Sequence, residues 1–103
     1  MMKTIWKFPF EITNTITLYM PDGASIIHVD VQKGQPCIWA IVDPEARVVP
    51  FTFYLRGTGH SLTGEEGVHI GSFQIYQGDL VFHLFEVKRM KTLKATDEET
   101  KTE

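Results

Sequence analysis

The chain is poor in most of the features that would classify it at a glance. It has one cysteine, Cys37, in 103 residues, so no disulfide closes within it and no Cys-x-x-Cys pair exists for metal or redox chemistry. No apolar run nears the roughly 20 residues that cross a bilayer, and the start from Met1 to Lys7 lacks the long apolar segment of a secretion signal. Positive charge is scarce too. Ten Lys and Arg against 13 Asp and Glu give a net charge of −3, which offers no long-range attraction to a phosphate backbone or an anionic membrane. These absences argue against general nucleic-acid binding and against membrane association. The single thiol sits in the apolar run Cys37-Ile38-Trp39-Ala40-Ile41-Val42, where it behaves as a small buried hydrophobe suited to a reducing cytoplasm. Helical periodicity is also missing, since no segment carries a convincing i, i+3, i+4, i+7 pattern of apolar residues.

What the chain does have is alternation. Thr15 to Met20 and Ser25 to Gln32 alternate apolar and polar residues, the second with Ile27, Val29 and Val31 against His28, Asp30 and Gln32, and a period of two is the mark of strands with one buried face. Pro21-Asp22-Gly23 reverses the chain between them, and Lys33-Gly34-Gln35-Pro36 forms the next turn. The Cys37 to Val42 run is apolar on both faces and reads as a central strand. After Asp43-Pro44-Glu45-Ala46-Arg47, the stretch Val48 to Arg56 alternates Phe51, Phe53 and Leu55 with Thr52, Tyr54 and Arg56. Pro50 cannot donate to a ladder, so this strand is expected to begin after it or to lie at an edge. Val68 to Ile75 and Leu80 to Val87 flank Tyr76-Gln77-Gly78-Asp79 as a last hairpin, and Lys3 to Phe10, with Trp6, Phe8 and Phe10 on one face, opens the chain as a strand closed by Pro9. About seven short strands imply an all-β fold, a small antiparallel sandwich or partly open barrel, over residues 1–88. Residues 89–103 are charged and nearly devoid of apolar side chains beyond Thr92, and are expected to form a disordered tail, with one helical turn at Met90 to Ala95 as the only local structure. A chain of this size buries one core, so a single domain is expected.

The loop Gly57 to Gly67 interrupts the alternation with four glycines and no apolar repeat. It begins beside Arg56-Gly57-Thr58-Gly59-His60, which joins flexible backbone to two cationic or potentially cationic side chains. Glycines let successive N–H groups converge on an anion, and a guanidinium offers a planar fork that matches phosphate or carboxylate. Tyr54 and Arg56 share a strand face opposite Phe53 and Leu55, so burial of the Phe53 face turns that pair outward beside the loop. The ligand-binding residues expected from this pattern are Arg56, Gly57, Thr58, Gly59 and His60, with Tyr54 or Trp39 stacking on the ligand. The spacing matches neither a P-loop nor a dinucleotide fingerprint, and no cofactor is implied. The same residues also serve a plain turn in which Thr58 satisfies backbone groups and His60 is solvated.

Other chemistries have thinner support. His28, His60, His69 and His83 invite a metal, and His28 with Asp30 shares a strand face, yet no His-x-His pair or cysteine cluster follows, so no metal site is assigned. Nucleophilic catalysis needs Cys37, Ser61 or Ser72 to meet a histidine and an orienting acid, and no Gly-x-Ser-x-Gly occurs. Glu65-Glu66 are adjacent carboxylates on a loop, a poor scaffold for acid and base work. Phe8, Phe10, Phe51, Phe53, Phe73, Phe82 and Phe85 are assigned to the core, as most aromatics in small β-domains are.

Several segments in order carry a family likeness: Met2-Lys3-Thr4-Ile5-Trp6-Lys7-Phe8, Pro36 to Pro44 (PCIWAIVDP), Gly57-Thr58-Gly59-His60, Ile70-Gly71-Ser72-Phe73 and Leu80 to Glu86 (LVFHLFE). Over residues 2 to about 88 the chain resembles a family of short uncharacterised bacteriophage and prophage proteins. That resemblance implies a viral gene product working in the cytoplasm of a bacterial host, and by analogy an anti-defence role. The leading expectation is a non-enzymatic binder of a small anionic ligand, nucleotide-derived, that sequesters a host defence signal, with a homo-oligomer expected if subunits share the site. The alternatives are a protein-interaction module that docks on a host or virion protein, and a small hydrolase.

Overall fold

The computed structural model describes residues 2–88 and contains seven strands: β1 (Thr4–Pro9), β2 (Thr15–Pro21), β3 (Ser25–Gln32), β4 (Gln35–Val42), β5 (Val48–Gly57), β6 (Val68–Ile75) and β7 (Leu80–Glu86). They form a three-stranded antiparallel sheet in the order β1-β4-β3 and a four-stranded antiparallel sheet in the order β2-β5-β7-β6. The architecture is therefore all-β and two-sheeted, without the continuous ladder of a closed barrel. The charged tail over 89–103, including the turn expected at Met90 to Ala95, lies outside the described residues.

Alternation places the core. On β5, Val49, Phe51, Phe53 and Leu55 are buried while Thr52, Tyr54 and Arg56 on the opposite face are half-exposed. Ile16 and Met20 on β2, Ile38, Ala40 and Val42 on β4, Phe73 on β6 and Leu84 on β7 close the same cluster. Phe10, just past β1, packs edge-on against Phe73 with ring centroids 5.9 Å apart, the tilted geometry that aromatic quadrupoles favour. Strand β4 is the central strand of its sheet, as its apolar run implies, and its second face carries buried Cys37 with half-buried Trp39 and Ile41. The two sheets approach most closely where β3 lies beside β6. A Cβ on Gly71 would come within 2.7 Å of Val29 Cγ1, so the absence of a side chain there sets the spacing.

Three strand expectations are corrected. The β3–β4 register shifts between Ile26 and His28, a bulge that turns Ile26 toward the core and leaves Ile27 49% exposed. Strict alternation had put Ile27 inside, but an extra residue on one strand reverses the phase beyond it. Pro50 lies within β5, which starts at Val48 and is an internal strand. The ladder to β7 reaches only from Phe53 to Gly57, with Val87 N–H donating to Thr52 C=O just beyond it. The missing N–H of Pro50 points toward that side, where among the described residues no strand pairs with it. Phe85 is not core: it pairs with Tyr54 and His69 on the outer face and meets the His69 ring edge to face, with centroids 5.3 Å apart.

Candidate functional site

The loop from Gly57 to Gly67 leaves β5 and returns to β6, and its internal bonding decides what it offers a ligand. Glu66 is the organising residue. Its side chain is only 4% exposed, and its carboxylate accepts hydrogen bonds from Thr63 N–H at 2.8 Å, Thr63 Oγ1 at 3.1 Å and Gly64 N–H at 3.0 Å. Arg56 Nε donates to the same carboxylate at 3.2 Å. The backbone N–H of Thr63 above all, supported by the Glu66 amide, the Thr63 hydroxyl and the Gly64 N–H, holds the Glu66 pKa down to about 2 from 4.5 against the opposing effect of burial. A charged acceptor ringed by donors stays charged. Glu66 therefore takes up, from within the chain, the arginine of the expected anion site, with the donors of Thr63 and Gly64 in place of those of Gly57 to His60.

Arg56 is correspondingly committed. Its side chain is 16% exposed, Nη1 donates to Leu55 C=O at 3.0 Å and to Asn14 C=O at 3.4 Å, and the guanidinium carbon lies 5.0 Å from the centroid of the Tyr54 ring. The shared outward face of Tyr54 and Arg56 is thus present, and the pair stack on each other. Gly67, at φ +102°, ends the loop against β7: a Cβ there would stand 2.1 Å from the Glu86 carbonyl oxygen, so both a positive φ and close backbone approach require glycine.

The first turn of the loop is a separate construction. His60 N–H donates to Gly57 C=O at 3.0 Å, and Gly57 N–H donates to His60 Nδ1 at 3.0 Å, which puts the proton of the neutral ring on Nε2. Thr58 N–H donates to Val81 C=O at 3.1 Å, tying the turn to β7. Between this turn and the start of β7 lies an open hollow of about 480 Å³, lined by Gly57, Thr58, His60, Asp79, Leu80, Val81 and Phe82. Of the expected ligand-binding residues, Gly57, Thr58 and His60 line it; Gly59, Arg56, Tyr54 and Trp39 do not. Trp39 belongs to the other sheet, where its ring lies 5.6 Å from that of His28.

The remaining candidates are distributed as follows. His28 Nε2 and Asp30 Oδ2 are 3.5 Å apart on an exposed face, and among the described residues no group of three or more His, Cys, Asp and Glu side chains converges to hold a metal. Ser72 does meet a histidine: its Oγ lies 2.6 Å from His83 Nδ1, while Thr58 Oγ1 lies 2.8 Å from His83 Nε2. From the sequence Glu66 is weighed only with Glu65 as an acid-base pair and its loop-closing role is missed, although Thr63-Gly64-Glu65-Glu66 has the spacing of a capping box, in which an acid three residues on reaches back to a threonine N–H. Here the box closes a loop with no helix behind it.

A family model for a domain of unknown function, DUF7352, matches residues 1–94. The chain belongs to that family. No curated protein and no solved structure gives a significant match. Membership agrees with the resemblance to uncharacterised proteins drawn from the five sequence segments, and it brings no assigned chemistry to the residues above. Among the described residues no helix is long and apolar enough to cross a membrane.

Proposed function

We propose that this DUF7352 protein is a bacteriophage accessory protein that works in the bacterial cytoplasm and binds a small nucleotide-derived ligand, taking the base rather than the phosphate into the hollow beside Thr58 and His60. The observation that supports this reading is the hollow itself, whose volume of about 480 Å³ falls in the range of small-molecule sites, roughly 300–1,000 Å³. Leu80, Val81 and Phe82 provide an apolar wall for a planar ring, and stacking of that kind contributes about 1–3 kcal/mol per base. At the rim, His60 Nε2–H is a donor, while the Thr58 hydroxyl oxygen, hydrogen-bonded to His83 Nε2, and the Asp79 carboxylate are acceptors. That set complements the mixed donor and acceptor edge of a base. Because Glu66 holds Arg56 and the Thr63 and Gly64 amides, a phosphate gains little from the loop, and Asp79 opposes it.

Isothermal calorimetry with a panel of nucleosides, mononucleotides and cyclic dinucleotides tests this reading. The expected result is that a nucleoside binds about as well as its phosphorylated form, and that Phe82→Ala and Asp79→Ala weaken both. Absence of heat across the panel, with no amide shifts at Thr58, His60 or Leu80, would overturn it. A second reading, docking on a host or virion protein or on another copy of the chain, is favoured by the outer face of the three-stranded sheet. Ile5 there is 55% exposed, with half-buried Trp39 and Ile41 beside it. Ile5→Asp should abolish partner capture or self-association in sedimentation experiments while leaving ligand heats unchanged; an unaltered sedimentation profile and an unaltered pull-down would remove this reading.

A further inference from the structure

On the outer face of the four-stranded sheet, His83 of β7 stands between two hydroxyls. Register fixes this placement, since His83 is the cross-strand partner of Ser72 on β6 and of Arg56 on β5. Ser72 Oγ is 2.6 Å from His83 Nδ1, Thr58 Oγ1 is 2.8 Å from His83 Nε2, and His69 Nε2 lies 3.3 Å from Ser72 Oγ. The four groups accommodate two concerted directions of donation; in the one that leaves His83 Nε2 as an acceptor, Thr58 O–H donates to His83 Nε2, His83 Nδ1–H to Ser72 Oγ, and Ser72 O–H to His69 Nε2. A hydroxyl on one ring nitrogen and an orienting acceptor on the other is the arrangement that makes a neutral imidazole a general base toward an alcohol. Of the two hydroxyls, Thr58 is the one that lines the hollow.

We propose that Thr58 is an acyl-accepting nucleophile with His83 as its base, Ser72 as the positioning residue that holds the imidazole, and small esters as the substrate class. This goes beyond ligand binding at the same hollow and does not depend on the ligand being nucleotide-derived. Thr58 Oγ1 attacks the ester carbonyl carbon while its proton passes to His83 Nε2. The carbon–oxygen bond to the leaving alcohol then breaks, and the alcohol departs with that proton. Water completes the cycle: it attacks the Thr58 ester, gives a proton to His83, and releases the carboxylic acid as Thr58 Oγ1 recovers its hydrogen. The orienting group is a neutral serine instead of a carboxylate, so the imidazolium lacks a counter-charge from its orienter and turnover is slow. An activated ester is the appropriate probe.

The full-length protein is incubated with p-nitrophenyl acetate, p-nitrophenolate release is followed, and the acetylated residue is mapped by tandem mass spectrometry. The expected result is acetyl on Thr58, lost in Thr58→Ala, kept in Thr58→Ser, and formed about 100-fold more slowly in His83→Gln, the lower part of the range for general base catalysis. Ser72→Ala should slow acetylation about tenfold and Ser72→Thr should restore it, which a merely structural role for the serine does not require. Circular dichroism of each variant reports folding, and His83→Asn replaces His83→Gln if the latter does not fold. Acetylation confined to lysines, or an unchanged rate in a folded His83 variant, overturns the proposal. Because binding of nucleosides is measured separately by calorimetry, failure of acetylation leaves the ligand-binding reading standing, and the converse also holds.

Discussion

The carboxyl group of Glu66 should remain ionised far into acid. With its pKa lowered from 4.5 to about 2, at a pH of about 3.2 it is about 95% charged where an unperturbed glutamate is about 5% charged. The folded value lies below the unfolded one, so the stabilisation that Glu66 contributes is fully present above pH 4.5 and is lost as pH falls through about 2. Carbon-detected NMR of the side-chain carboxyls across pH 1.5 to 6 measures this directly. Glu66 should titrate last, and the Thr63 and Gly64 amide shifts should move with it, since their N–H groups point at its oxygens. Arg56→Ala removes one donor but leaves the Thr63 amide that does most to lower the value, so the midpoint should stay well under 4.5 in that variant. Glu66→Gln is more disruptive. With its amide oxygen at the position of Oε2, which takes the Thr63 amide, the Thr63 hydroxyl and Arg56 Nε, its NH₂ faces the Gly64 N–H, and two donors oppose each other. A Glu66 midpoint near 4.5, or Thr63 and Gly64 shifts indifferent to it, would refute the closed-loop account and return Arg56 to the pool of ligand-binding groups.

Three further outcomes are expected. The Glu86 pKa is raised by burial, which Lys88 only partly offsets; the folded value lies above the unfolded one, so wild-type stability should decline as pH rises beyond about 4.5 through the raised value, and urea midpoints of Glu86→Gln should lack that slope. Gly67→Ala should destabilise by at least the ~1–3 kcal/mol of a strained backbone conformation, since its Cβ meets the Glu86 carbonyl oxygen at 2.1 Å; a stability within error of wild type would show that the loop terminus shifts freely. Phe53 is fully buried between β2 and β7, and Phe53→Ala should cost about 3–5 kcal/mol in equilibrium unfolding, a loss under about 1 kcal/mol being incompatible with a packed core there.

Most strands were legible because burial on one face writes itself into alternation. Val68–Ile75 on β6 and the start of β7 at Leu80 coincide with the expected segments, and the buried Phe51, Phe53 and Leu55 face follows directly from period two. Misreadings arose where a local irregularity resets that period or where an outer face is also apolar. The bulge before His28 expelled Ile27, and Phe85 found an imidazole partner outside the core. The site was harder to read. Glycines beside an arginine indicate an anion-binding corner equally well whether the anion comes from solvent or from ten residues further along the same chain, and only closure of the loop brings Glu66 onto Arg56. The Thr58, His83 and Ser72 group was invisible for a different reason: its members are separated by 25 and 11 residues and meet only through the register of β6 on β7 and the turn that follows β5.

The placement of the prolines bears on how this domain behaves when crowded. Pro9 ends β1, an edge strand, and Pro50 lies on the stretch of β5 that β7 leaves uncovered. At both positions a neighbouring molecule seeking to extend the sheet finds a missing donor, a usual deterrent to intermolecular strand addition. Replacing Pro50 with threonine would supply the absent amide at little cost to the fold and should promote fibrillar assembly in concentrated samples. The two imino acids thus act as chemical stoppers on the open strand edges of a domain that exposes Ile5, Trp6 and Ile27.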